Sequence, residues 1–140
     1  MATPAPPAGY SKRPLAQKLG IKHGHRVAIL QAPDGYRTLL ELLPDAVTWH
    51  DTLVDDLDLI HYFTDSRQAL AAIFPALKAA IRRNGMIWIS WPKKASKVST
   101  DLDDALVREM GLHQGLVDVK VAAIDHVWSG LKFVYRTRDR

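Results

Sequence analysis

The sequence predicts a single α/β domain with a mainly parallel sheet, helices on both faces and a C-terminal antiparallel hairpin strand. Three observations carry this expectation. Short apolar runs at 26–31, 57–63 and 86–91 read as strands, and the third (MIWISW) is apolar enough to be covered on both faces. Segments with one apolar stripe at three- and four-residue spacing separate such runs, as helical crossovers between parallel strands do. Two last runs, 116–124 and 131–137, are joined by a hairpin-sized connection at 125–130.

Taken in order, residues 1–9 carry three prolines and no periodic apolar pattern, so a flexible arm is expected ahead of one domain at 10–140. Pro14 suits a first helical turn, Leu15 and Leu19 give it an apolar side, and Gly20 stops it. The strand at 26–31 runs into a turn at Ala32-Pro33-Asp34-Gly35. Tyr36, Leu39, Leu40 and Leu43 then recur at helical spacing as far as Pro44. A short strand at 46–50 is followed by an acidic connection, 51–56, and the strand at 57–63. A parallel crossover usually takes a dozen or more residues. Either that connection therefore runs extended across the sheet, or the strand at 46–50 lies outside the parallel set.

Asp65 is expected to cap the next helix, with Gln68 three residues on as in a capping box. Leu70, Ile73, Phe74, Leu77 and Ile81 form its core stripe. Pro75 should kink or split it, and Asn84-Gly85 should stop it. Thr100 with Asp103 marks the start of the last helix, Leu102, Leu106 and Met110 its buried side, and Gly111 its end. This order makes 26–31, 57–63, 86–91 and 117–124 parallel neighbours.

Composition narrows the function classes. A chain of 140 residues with 47% hydrophobic residues buries a real core, which excludes a disordered tail and a two-domain enzyme. Without cysteine, disulfides, thiolate metal sites and cysteine nucleophiles drop out. No apolar run approaches the ~20 residues of a membrane span, and the start lacks the pattern of a signal peptide, so a cytoplasmic protein without a membrane partner is expected. The net charge of +4 is a weak signal for nucleic acid. Basic residues gather at Lys12 to Lys22, at Lys93, Lys94 and Lys97, and at Arg136 to Arg140.

Read this way, the element order over 26–137 resembles a shortened class I methyltransferase, a Rossmann-like fold that ends in an antiparallel hairpin strand and binds S-adenosylmethionine. The resemblance implies a glycine-rich loop after the first strand and an acid after the second. The loop here is Gln31-Ala32-Pro33-Asp34-Gly35, with one glycine and a proline, and Asp51 stands where the acid would hold the ribose hydroxyls. A second resemblance rests on longer strings. Tyr10-Ser11, Pro14-Leu15-Ala16 and Lys18-Leu19-Gly20-Ile21 open the pattern, Ala32-Pro33-Asp34-Gly35-Tyr36 and Trp91-Pro92-Lys93-Lys94-Ala95-Ser96 continue it, and Gly115 to Lys120 and Val127 to Arg136 close it. By its WPKK and WSGLKFVYR strings the chain is identified as a member of a family of small bacterial proteins defined only as a domain of unknown function. That resemblance implies a bacterial cytosolic protein and names no reaction.

Ligands of open parallel sheets bind beyond the carboxyl ends of the strands. Loops at 32–35, 64–66, 92–98 and 125–130 are expected on that edge, where they gather Asp34, Gly35, Asp65, Lys93, Lys94, Ser96, Trp128 and Ser129. Lys93, Lys94 and Ser96 suit a phosphate or carboxylate, since ammonium groups supply charge and the hydroxyl a donor. The lysines could instead be merely solvated, or pair with Asp101, Asp103 and Asp104. Trp128 is a lid over a ligand or a plug over the sheet end. His23 and His25 find no third partner, so no metal is expected. His61 reads as a packing residue, and neither Ser90 nor Ser96 has an evident histidine base.

No catalytic residue is assigned, although Asp34, Asp65 and Asp125 could act as acid or base. The leading expectation is a non-catalytic binder of an anionic small molecule or a protein partner at this rim, with no cofactor. One alternative is a small enzyme of methyltransferase descent that binds S-adenosylmethionine; a further one is a nucleic-acid-binding protein. A homo-oligomer is compatible with each.

Overall fold

The structure is a computed structural model that describes residues 13–40 and 43–140. The expected arm at 1–9 lies outside the described residues. The elements are α1 (Leu15–Leu19), β1 (Arg26–Leu30), α2 (Tyr36–Leu39), β2 (Thr48–His50), β3 (Leu57–Phe63), α3 (Arg67–Ala80), β4 (Ile81–Pro92), α4 (Asp104–His113), β5 (Leu116–Ala123) and β6 (Trp128–Tyr135). Among the described residues the strands form a six-stranded sheet in the order β2-β1-β3-β4-β6-β5. β2, β1, β3 and β4 are parallel, and β6 is antiparallel to both β4 and β5. The expected α/β class with its closing hairpin is what the chain adopts. One neighbour differs: β6 inserts between β4 and β5, so the strand at 117–124 is the sheet's edge and not a partner of β4.

Alternation along the strands divides the core in two. Ala28, Ile60, Ile87, Ile89 and Phe133 face α3 and α4, where Leu70, Phe74, Leu77 and Val107 cover them. Val27, Leu59, Phe63 and Trp88 face α1 and α2, under Leu15, Leu19, Tyr36 and Leu40. A five-residue helix such as α1 is marginal alone. Here its apolar side is buried, and the indole N–H of Trp88 donates to Leu19 O at 2.8 Å.

The short 51–56 connection runs extended across the sheet. His50 pairs with Ala28 and Leu59 with Val27, so β2 meets only the first half of β1. The chain must therefore fall back about three residues (~10 Å) and step sideways past β1 (~10 Å), which about seven residues of ~3.3 Å each can span. Leu53 and Val54 pack against the α3–α4 side of the core as it passes.

Several element ends depart from expectation. Ser66, not Asp65, caps α3, because the Ser66 hydroxyl accepts from Ala69 N–H at 3.1 Å. Pro75 does not split α3: it lies on the exposed side with Ala71, so the carbonyl that loses its partner faces water. The helix ends at Ala80, before Asn84-Gly85, because Tyr135 OH caps the Lys78 carbonyl at 2.9 Å and Ile81 already pairs with Leu57. Gly85 instead lets the bulge in β4 close, with Leu57 O and Arg82 O both 3.0 Å from where its Cβ would be. Gly111 is interior to α4, which ends at His113 before Gly115, whose φ is +84°. Trp128, Ser129 and Gly130 belong to β6, because Asp125 Oδ1 accepts from the Val127 and Trp128 N–H groups and closes the hairpin early. Among the described residues no helix is long and apolar enough to cross a membrane.

Candidate functional site

β1, β3 and β4 run in one direction and β5 runs with them, so the loops that leave them share an edge. At its β1–β2 end that edge opens into a cavity of about 560 Å³, within the usual range for small-molecule sites. Its walls are Ala32, Pro33 and Gly35 of the turn after β1, the first turn of α2 and the end of β2, with Arg37, Trp49, His50 and Asp51 among the lining residues. Gln31 at φ 60° and Gly35 at φ 83° make the turn that redirects the chain from β1 into α2. Asp51 follows β2 directly and is exposed at the cavity wall.

The Arg37 guanidinium lies 5.1 Å from the centroid of the Trp49 ring, a cation–π distance that fixes a positive charge on one wall. Among the described residues His50 Nε2, like Arg26 Nε and Arg136 Nε, is buried without a hydrogen-bond partner. Because His50 lines the cavity, this atom is available to a polar group that enters it.

Behind the cavity lies a buried polar chain. Tyr36, a cavity residue, places its hydroxyl 2.7 Å from His61 Nδ1, and His61 Nε2 is 2.7 Å from Ser90 Oγ. His61 and Ser90 are fully buried. The His61 ring stacks on Phe63 with centroids 4.0 Å apart. Burial pushes the His61 pKa down to about 3 and that of the Tyr36 hydroxyl well up, so both are neutral across the physiological range. His61 does pack, as its place within a strand suggested, but the expectation that Ser90 lacks a histidine neighbour is corrected. The signal was available in sequence: His61 and Ser90 are single polar residues within strongly apolar strands. The chain ties α2 to β3 and β4 and orients Tyr36 at the cavity wall.

The remaining site residues lie apart from this cavity, except Gly35. Asp34 is exposed beside it, whereas Asp65, Lys93, Lys94, Ser96, Trp128 and Ser129 do not line it. Lys93 and Trp128 do come together, since Lys93 N–H donates to Val127 O at 2.7 Å and Trp128 packs edge-on against Phe63 with centroids 5.2 Å apart. The Ser96 hydroxyl donates to Lys93 O at 2.7 Å within its own 3-10 turn (Lys94–Ser96), which commits its proton. Asp65 carries Thr100 Oγ1 on its backbone carbonyl at 2.7 Å, which places it beside α4. Ser129 pairs with Trp91 inside the sheet.

The alternative of lysine pairing with the acids before α4 is not what forms. Asp101 accepts from Arg67 N–H and Asp103 caps α4, and no ion pair among the described residues includes Lys93 or Lys94. Among the described residues no His, Asp or Glu cluster could hold a metal ion.

No protein-family model matches the sequence, and no curated protein does. Solved structures do resemble the fold. The DhpI–SAH complex superposes with a TM-score of 0.61 at 14% identity, over 89% of this chain and 83% of that one. A SAM dependent methyltransferase from Aquifex aeolicus gives 0.66 at 10% identity, over 85% and 86%. Magnesium protoporphyrin IX methyltransferase from Synechocystis PCC 6803 with bound SAH gives 0.57 at 12% identity, over 81% and 74%. At these identities the likeness is one of fold alone, a Rossmann-like α/β fold that these neighbours share.

Proposed function

We propose that the chain is a small methyltransferase that binds S-adenosylmethionine in the cavity at the ends of β1 and β2. The observation that carries this reading is the placement of Asp51, which leaves β2 at the wall of a 560 Å³ cavity beside the Gly35 turn. A carboxylate there can accept from paired ribose hydroxyls. Arg37, held over Trp49, offers the charge that would receive a ligand carboxylate, and His50 Nε2 offers a further polar contact. The bound group would supply an electrophilic methyl. Tyr36, fixed by the His61–Ser90 chain, keeps the wall beneath it rigid.

The acceptor would lie along the same edge toward Lys93, Lys94 and Trp128, which suits an anionic molecule, as the sequence expectation for this rim has it. The bacterial, cytosolic setting implied by the WPKK and WSGLKFVYR strings goes with this reading. One observation favours a second reading, a non-catalytic binder of an anionic molecule that takes no cofactor. Ala32 and Pro33 occupy the loop where close approach of a cofactor to bare backbone calls for glycine.

Calorimetric titration with S-adenosylmethionine and S-adenosylhomocysteine tests the proposal. Asp51→Ala should weaken binding by about 1.5–3 kcal/mol, the worth of a hydrogen bond to a charged group. Asp34→Ala, outside the cavity, should leave it unchanged. No binding of either compound to the parent chain at millimolar concentration would end this reading.

A further inference from the structure

The face that carries α1 concentrates cations that the cavity does not use. Lys120 on β5 sits directly opposite Lys132 on β6 in the antiparallel register. Like charges so placed oppose folding, yet no ion pair among the described residues includes either lysine. Lys120 Nζ donates to Lys18 O at 3.0 Å, and Lys18 Nζ donates to Ala123 O at 2.6 Å. Lys132 Nζ lies 3.6 Å from where a Cβ on Gly20 would stand. Lys22 follows this helix and Arg13 precedes it.

The ion pairs among the described residues are Arg82–Asp58, Arg108–Asp118 and Arg138–Asp139, so Lys22, Lys120 and Lys132 enter none. Burial and mutual repulsion lower the pKa of Lys18, Lys120 and Lys132, and Lys93 is among the charges felt by Lys18. The band is made by exposed Lys22 and half-buried Lys120 and Lys132, with Lys18 buried beneath it, and at the nearby rim half-buried Trp128 stands beside Lys93.

We propose that this face binds the phosphate backbone of single-stranded nucleic acid and leads the strand to the rim at Lys93 and Trp128. The ammonium groups of Lys22, Lys120 and Lys132, outside the ion pairs of the described residues, can track a phosphate chain, and a tryptophan beyond them offers a stacking surface. A bilayer fits less well. Leu15, Ala16 and Leu19 of α1 are buried, and none of the exposed large hydrophobic residues among those described, Leu43, Val98, Leu112, Val119 and Val121, lies on that helix. As a statement about the acceptor the proposal rests on the cofactor reading; as a statement about binding it does not.

The test is fluorescence anisotropy of a labelled single-stranded RNA of about 12 nucleotides with the full chain and no cofactor. Between about 50 and 200 mM salt, log Kd should change with log salt by ~0.7 per phosphate contacted. Lys120→Gln with Lys132→Gln should reduce that slope by ~1.4, two contacts' worth, while melting confirms that the fold is kept. Arg67→Gln on α3, on the opposite side of the sheet, should change nothing. Equal affinity and slope in the double variant and the parent would overturn the proposal. So would lysine-dependent binding to phosphatidylserine vesicles without RNA binding. RNA binding that persists in a chain that takes no S-adenosylhomocysteine would uphold this face and remove the cofactor reading alone.

Discussion

Gly111 sits in the interior of α4, where alanine would ordinarily favour the helix by about 1 kcal/mol. The opposite sign is expected here. A Cβ on Gly111 would stand 2.0 Å from Cε1 of Phe133, which is fully buried on β6 and packs edge-on against Phe74 of α3. Gly111→Ala must push the helix away from the sheet or force Phe133 out of its rotamer, at about 1–3 kcal/mol or more. Urea unfolding checks this, and Phe133→Leu in the same chain should restore part of the loss. An alanine variant as stable as the parent would mean that α4 does not pack this tightly. In sequence the glycine looks like a helix stop, because its partner is 22 positions away and no local pattern announces it. Arg37, Trp49 and His50 were hidden for the same reason: the cavity wall forms only when β2 pairs with β1. Asp51 was legible, since its place after a strand is a local property.

Helix and strand interiors were legible and their ends were not, for one physical cause. Period-two and period-3.6 apolar patterns follow from which face is buried, so the α3 stripe and the β4 run stood out in sequence. Ends are fixed by whichever group satisfies the terminal N–H and C=O groups, and that group is often distant. Tyr135 caps Lys78 O, and the Lys78 ammonium in turn reaches Gln114 O at 2.6 Å, binding the end of α3 to that of α4. At the start of α3 the competition was between adjacent residues. Ser66 wins because its extended backbone (φ −123°, ψ 120°) aims the hydroxyl at Ala69 N–H, while Asp65 stays exposed. Ser66→Ala should therefore destabilise the protein by about 1 kcal/mol, and Asp65→Ala should have little effect. The reverse ranking in chemical denaturation would return the cap to Asp65.

For the molecule as a whole, the buried Tyr36–His61–Ser90 chain makes stability depend on pH. It joins one helix to the two central strands, and its two hydrogen bonds hold His61 as a neutral ring. In the unfolded chain a histidine titrates near 6.5, whereas burial lowers the folded value to about 3. Between those values the unfolded state binds a proton that the folded state refuses, so stability rises with pH across the window. The contribution is complete above about pH 6.5 and is lost as pH falls toward about 3. The steepest slope is about 1.4 kcal/mol per pH unit for one proton. His25, also lowered chiefly by burial, adds a slope of the same sign, so the comparison must be made against a chain that lacks only the His61 ring. His61→Gln should be less stable than the parent at pH 7, because it disturbs the partners of two buried hydroxyls. Between pH 6 and 5, where most carboxylates are still ionised, the parent should lose about 1 kcal/mol more than the variant. Urea unfolding of both chains at pH 7, 6 and 5 measures this, and parallel curves would show that His61 carries no such charge penalty.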